Sequence, residues 1–342
     1  MKKLFLLLLC ITFLFACKEK TTDLEDTQSS QVIDFDEILD NSDLYVNDLI
    51  DSIRIIKLQT TEESVLSSFY QCLITQKYIY ILDEYKGGSV VIFDVNGSFV
   101  KRLPYGNGPG ELLRPSSISF NEEKDELVVY QSKLVNIFTP DGVFKTAYRL
   151  PFYLSQLVPY KDGYIAVQYE TNNLEKKFAF IVLDSEFRDV NTFYFEERRC
   201  DILSEFVLKT HKNDIIINRP LWDVIYKYSD GIVSEDRRLE YPQNKMDFSL
   251  IDWQNVDSYV DMLELSPDKF AFISYNETNN YEYYRFNRGF FNAYVFICKK
   301  NKKYRSGYAI IDPNSIYHVG DYVGTYNIYL LMSIIQAFII MT

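Results

Sequence analysis

The residues best placed by type and spacing to do chemistry stand at the start of the chain. Lys2 and Lys3 precede an apolar run over residues 4–15, Ala16 follows as a small residue, and Cys17 comes directly after it. Basic, then apolar, then small is the order of a secretory signal. A cysteine just past the cleavage point adds a thiol that can take a diacylglycerol and, once freed, an amine that can take a further acyl chain. Two chains anchor stably where one does not. The sequence therefore predicts lipid attachment at Cys17 and an outer-membrane lipoprotein facing the periplasm or the cell surface. Lys18-Glu19 begins like an acidic surface-export signal that Lys20 interrupts, which leaves the orientation open. The alternative is a plain signal peptide or signal anchor, for which the apolar run is short.

Beyond Cys17 the chemistry is sparse. The two histidines, His211 and His318, are far apart in sequence, and Cys72, Cys200 and Cys298 form no CxxC or Cys/His spacing. No metal or cofactor is expected on that inventory. An odd number of cysteines allows at most one disulfide, so no disulfide framework holds the fold. Glycoside hydrolysis or lysis would need two convergent carboxylates. Asp83 and Glu84 are candidates, as other pairs would be in so acid-rich a chain, and no catalytic residue is assigned. Without Lys2 and Lys3 the 36 basic residues fall to 34 against 48 acidic ones. That balance argues against nucleic acid, whose phosphates need a basic surface.

The elements that would carry any site read as strands. Residues 17–31 are polar and charged and form a flexible tether, while residues 32–325 mix Tyr, Phe, Ile and Val with regular turns. Ile92-Phe93-Asp94-Val95-Asn96-Gly97 recurs as Ile137-Phe138-Thr139-Pro140-Asp141-Gly142, and more loosely from Ile181 and from Ile225. Asn-Gly and Asp-Gly are strong hairpin signals. A further strand precedes each hairpin, beginning near Tyr78, Leu127, Tyr164, Ile215 and Phe270, and a fifth hairpin runs over residues 291–311. A period near 45 residues with four strands per unit is the mark of propeller blades. A β-sandwich of evenly spaced hairpins is the competing reading. Short helices are expected only near residues 34–39 and 255–263.

The segment Tyr105-Gly106-Asn107-Gly108-Pro109-Gly110-Glu111, followed by Pro115 and Ile118, resembles the glycine-rich crossover between blades of NHL-type repeats. It lacks the third glycine of a dinucleotide loop and the Gly-Lys-Ser/Thr of a Walker loop. With the lipobox, Ile79-Tyr80-Ile81-Leu82-Asp83 and the lead-in at residues 53–61, the chain resembles the six-bladed β-propeller lipoproteins of Bacteroidota. The resemblance implies an all-β, six-bladed propeller of four-stranded antiparallel blades, and carries no catalytic set.

In such blades the loops between strands two and three share one end of the ring with the crossovers. That face would gather Asp83, Glu84, Arg114, Arg219 and Trp222, together with Tyr281, Tyr283, Tyr284 and Arg285 of an inserted loop at residues 275–288. Loops on a rigid scaffold commonly carry function. The expected role is noncatalytic: a binding or scaffold module for a protein, peptide or glycan, with a glycan hydrolase or lyase as the alternative. The bland reading of Arg114 and Arg219, each followed by proline, is hydrogen bonding to crossover carbonyls. Residues 52–58 are expected to close the ring by pairing with the last blade. Residues 326–342 form an atypical apolar tail that leaves the sixth blade incomplete, with a membrane span as a lesser alternative.

Overall fold

A computed structural model describes residues 31–36, 38–39, 44–45, 56–67, 70–83, 88–169, 177–196, 208–211, 214–252, 255–307 and 310–311. The chain is a β-propeller of four-stranded antiparallel blades. Blade 1 comprises β3 (Gln71–Ile74), β4 (Tyr78–Asp83), β5 (Ser89–Asp94) and β6 (Phe99–Arg102). Blade 2 comprises β7 (Ser117–Asn121), β8 (Glu126–Gln131), β9 (Leu134–Phe138) and β10 (Phe144–Arg149). Blade 3 holds β11 (Gln156–Tyr160), β12 (Gly163–Tyr169), β13 (Lys177–Leu183) and β14 (Asp189–Glu196). Blade 4 holds β15 (Leu208–His211), β16 (Asp214–Ile217), β17 (Val224–Ser229) and β18 (Ile232–Glu240), and blade 5 holds β19 (Phe270–Glu277), β20 (Tyr281–Arg288), β21 (Phe291–Cys298) and β22 (Tyr304–Gly307).

The described residues thus contain five blades where six were expected. Five hairpins are what the repeat itself displays. The sixth blade rested on the resemblance and on residues after 311, which lie outside the described residues.

The repeating turn between third and fourth strands has a physical cause. The Asp94 carboxylate accepts from the N–H groups of Asn96 (2.8 Å) and Ser98 (2.9 Å), and Gly97 takes φ +88°. The Asp184 carboxylate accepts from Glu186 and Arg188, both at 2.9 Å, with Phe187 at φ +61°. In blade 2 the Thr139 hydroxyl plays this part for Val143 (2.9 Å). Short oxygen-bearing side chains close such turns on their own backbone. The backbone N–H of Ser98 foremost, and that of Arg188 in the second turn, hold the Asp94 and Asp184 carboxyls below the ordinary carboxylate range.

Blades adhere through their apolar faces. Tyr80, Leu82, Val90 and Ile92 of blade 1 pack with Ile118, Leu127 and Val129 of blade 2, and equivalent clusters join blades 2 to 3, 3 to 4 and 4 to 5. Two glutamines stitch the innermost strands together. Gln71 donates to Ile118 O and accepts from Ile118 N, both at 2.8 Å, and Gln156 does the same with Leu208 at 2.8 Å. Each amide satisfies a backbone donor and acceptor that the ring's axis leaves without a ladder partner.

The described parts of the N-terminal segment dock at several places on the blades. β1 (Gln31–Asp34) adds a parallel fifth strand to β18, which covers the edge of blade 4. Only a turn follows, in which Ile38 N and Leu39 N donate to Phe35 O, so the expected helix at residues 34–39 begins as strand. β2 (Leu44–Tyr45) then pairs in parallel with β23 (Ile310–Ile311), beyond blade 5. Ile56, Leu58 and Leu66 finally pack on the free face of blade 1, against Ile79, Ile81, Val91 and Phe93.

This corrects the expected closure. Residues 56–58 are not a strand of the last blade: Gln59 N donates to Gly97 O (2.8 Å) and Gln59 Oε1 accepts from Phe99 N (2.9 Å), which commits the lead-in to blade 1. A Cβ on Gly97 would lie 2.3 Å from Lys57 O, so this approach requires glycine. The terminal segments do meet, through β2 and β23, and residues 52–55 lie outside the described residues.

The helix expected near residues 255–263 is present as α1 (Val256–Leu265), whose N-cap Asn255 accepts from Asp257 N. Cys72 and Cys298 are free thiols. Residues 17–30 of the expected tether, Cys17 included, and the apolar tail lie outside the described residues, while Gln31, assigned to the tether, opens β1. Among the described residues, no helix is long and apolar enough to cross a membrane.

Candidate ligand-binding face

The connections β4–β5, β8–β9, β12–β13 and β16–β17 share one end of the ring with the crossovers between blades, as the strand order requires. The glycine-rich crossover from blade 1 to blade 2 is fixed from several sides. Gly106 N donates to Leu112 O (3.1 Å), Leu112 N to Pro104 O (2.8 Å), and Gly108 N to Glu111 Oε2 (2.7 Å). Gln131 accepts from Leu113 N (2.6 Å) and donates to Glu111 O (3.1 Å). Gly110 has φ +76°, and a Cβ there would lie 2.7 Å from Phe144, so the glycines serve backbone geometry. This frame holds Tyr105 60% exposed.

The next crossover is built alike. Tyr130 donates its hydroxyl to Ser132 O and accepts from Leu154 N (2.6 Å), while Lys133 donates to Pro151 O (2.8 Å). Lys133 Nζ lies 4.6 Å from the ring centroid of Tyr153, which is 62% exposed. Two exposed tyrosines on rigid backbone, one beside a cation, suit stacking on a flat or cationic ligand group. The composition flagged tyrosine as abundant without separating these two from the buried ones. Their place immediately beside crossover prolines Pro104 and Pro151-Phe152 was the signal available.

The expected site residues do not form one constellation. Asp83 is buried and accepts from Ser67 N (3.2 Å) and Ser67 Oγ (2.6 Å) and pairs with Arg102 (3.4 Å), so it pins the lead-in to blade 1. Arg102 also donates to Glu63 O (2.7 Å) and Val65 O (2.6 Å). Glu84 lies outside the described residues. Arg114 is exposed on the crossover face at φ +57°. Arg219 and Trp222 are together, with the buried guanidinium 5.9 Å from the indole centroid, and Trp222 packs edge-on to Tyr226 between blades 3 and 4.

The loop expected to carry Tyr281, Tyr283, Tyr284 and Arg285 is corrected. The supposed loop at residues 275–288 is the end of β19, a short turn and the whole of β20. Tyr284 is fully buried among blades 4 and 5, Tyr283 stacks on Tyr294 with centroids 6.2 Å apart, and Arg285 is buried on the same face as Tyr283. Tyr281 opens β20, half-buried. Glu282, Tyr284 and Phe286 alternate toward blade 4, and it was the charged Glu282 that broke the apolar pattern of a strand.

Glu282 is tolerable there because Arg237 of β18 reaches it. Arg237 Nη1 donates to Glu282 Oε2 (2.8 Å) and to Tyr284 Oη (3.4 Å), and its Nε donates to Asp236 (2.9 Å). Its guanidinium lies 4.9 Å from the Tyr275 ring centroid. Tyr284 in turn donates to Glu282 (3.1 Å), and Glu277 is bridged by Lys299. Burial alone would lower Arg237, but Tyr284, Tyr275 and Glu282 outweigh it and raise it, so the guanidinium stays charged. Burial pushes the Tyr284 phenol well up. Every charge here has a partner, and the cluster clamps blades 4 and 5. No single motif in the sequence announced it. Among the described residues, no three His, Cys, Asp or Glu side chains are grouped to hold a metal.

Comparison with known proteins agrees with this architecture. A Bacteroides fragilis protein described as exported is 16% identical and superposes with a TM-score of 0.64, covering 81% of this chain and 80% of that one. A member of the DUF4221 family from Bacteroides vulgatus is 12% identical, with a TM-score of 0.49 over 73% of this chain and 84% of that one. No curated protein matches the sequence. The profile of the family described as a domain of unknown function, DUF4934, matches residues 30–341, and the chain belongs to that family.

Proposed function

We propose that the protein is a lipid-anchored β-propeller of the cell envelope that acts as a noncatalytic binding or scaffold module for a protein, peptide or glycan. The observation that carries this reading is the crossover face, which holds Tyr105 and Tyr153 out to solvent, the latter beside Lys133, and also exposes Arg114. Exposed aromatics on a preorganised frame lose little entropy on binding. The lipobox ending at Cys17 supports the anchor, and the exported neighbour from Bacteroides fragilis fits an envelope address. The NHL-like crossover and the pairing of β2 with β23 past blade 5 favour a sixth, incomplete blade across the seam between blades 5 and 1. A hydrolase using Asp83 is disfavoured because its carboxylate is already engaged by Ser67 and Arg102.

The test is capture of envelope components by the purified protein. Tyr105→Ala with Tyr153→Ala should weaken capture of the bound component by about thirtyfold, given roughly 1 kcal/mol per stacked ring. The variant should keep the parent's melting temperature, since both rings are exposed. Undiminished recovery would remove the face from consideration. Labelled fatty acid retained after Cys17→Ala would remove the anchor.

A further inference from the structure

Blade 5 ends in two chemically opposite surfaces. β20 and β21 are joined at Gly289-Phe290, and β21 and β22 at residues 299–303. Successive turns of antiparallel strands lie at opposite ends, so the eight residues of β21 separate them by about 25 Å. At the first end Phe290 is 59% exposed and Phe291 74%. This turn abuts the end of α1, because a Cβ on Gly289 would lie 3.2 Å from Pro267 Cα and 3.5 Å from Leu263 O.

The helix adds Leu265, 83% exposed, and Val260, while Tyr259, Met262 and Leu263 turn inward against Phe248, Ile251 and Ala271. Leu265 is therefore surplus to the core. Exposed carboxylates of Asp257, Asp261 and Glu264 lie along the same helix. Large apolar side chains gathered at one spot with a charged rim mark an interaction surface. The opposite end reads Lys299-Lys300-Asn301-Lys302-Lys303-Tyr304-Arg305. Lys299 is bridged to Glu277, but Lys300 and Lys303 are exposed and Tyr304 offers a half-exposed ring.

We propose that the acidic, apolar end of blade 5 is covered by the basic, aromatic end of blade 5 of a second copy. The match is of charge and of apolar contact at once. Two acidic ends facing each other would set carboxylate against carboxylate, so the contact is head-to-tail rather than two-fold, and one copy can bind a neighbour at each end. An anionic membrane surface would repel this rim for the same reason.

The test is sedimentation of the chain carrying Cys17→Ala, which excludes lipid-driven association. Weight-average mass should rise with concentration and fall back as salt rises from roughly 0.05 to 0.5 M, where screening lengths drop below 5 Å or so. Leu265→Asp with Phe291→Asp removes the acidic end's apolar contact, and Lys300→Glu with Lys303→Glu removes the basic end. Each variant alone should be monomeric with an unchanged circular-dichroism melt. A one-to-one mixture of the two should give dimers and nothing larger, because each retains the end the other has lost. A concentration-independent monomer in the parent overturns the proposal. So does association that persists in either variant, or a mixture that stays monomeric.

Discussion

Arg237→Ala should cost the fold about 3–5 kcal/mol, the usual loss when one partner of a buried pair is removed. The side chain fills the seam between blades 4 and 5, and without it Glu282 would keep only the Lys302 ammonium, 3.7 Å away, and the Tyr284 hydroxyl. Urea midpoints at unchanged slope would report the loss. Replacing both charges, Arg237→Met with Glu282→Leu, should recover most of it, because neither change then strands a buried charge. A single variant within about 0.5 kcal/mol of the parent would mean that the network is solvated and does not clamp the blades.

Phe35→Ala should cost about 3–5 kcal/mol as well, by removing a large ring from a closed core. Phe35 has no exposed area and meets Tyr284 edge-on at 4.9 Å and Phe286 at 5.0 Å. The Asp36 carboxylate next to it accepts from Gln243 N (3.1 Å) and Asn244 N (3.1 Å), so the whole entry segment is docked on blades 4 and 5. Val32→Ala in the adjoining β1, at a position 54% exposed, should change stability by less than about 0.5 kcal/mol. Equal, small effects at both positions would show that the segment belongs to the tether and not to the propeller.

The contrast between these two positions shows what the sequence could convey. Phe35 stands in a short segment that a local pattern cannot place, because its partners are some 250 residues away. By contrast, the third-to-fourth-strand hairpins were legible from Asp94, Asn96-Gly97 and Asp141-Gly142, since the turn is made by those residues themselves. The strand β21 and the helix α1 also fall where the sequence placed a hairpin and a short helix, one over a mostly apolar run and the other begun by its Asn255 cap.

β20 was not readable. Its aromatic and charged residues resemble a loop until Arg237, 45 positions earlier than Glu282, is known to face it. Closure of the ring failed likewise: Ile56 and Leu58 carry a strand's alternation but satisfy it against blade 1. Strand parity puts the β4–β5, β8–β9, β12–β13 and β16–β17 connections at the crossover end, but the turn before Tyr281, expected there too, lies at the opposite end. The residues chosen for the crossover face were mostly structural, because neither Asp83's bonds to Ser67 nor the burial of Tyr283 and Tyr284 is a local property.

Site-specific photocrosslinking in cells tests the binding face most directly. A benzophenone side chain would replace Tyr105 or Tyr153 on the crossover face and, for comparison, Val143 (51% exposed) or Ile232 (49% exposed), which flank turns at the other end of the ring. Adducts of one size should form on irradiation from Tyr105 and Tyr153, and none from Val143 or Ile232. Adducts of equal yield at both ends, or only from Val143 and Ile232, would contradict the assignment of binding to the crossover face.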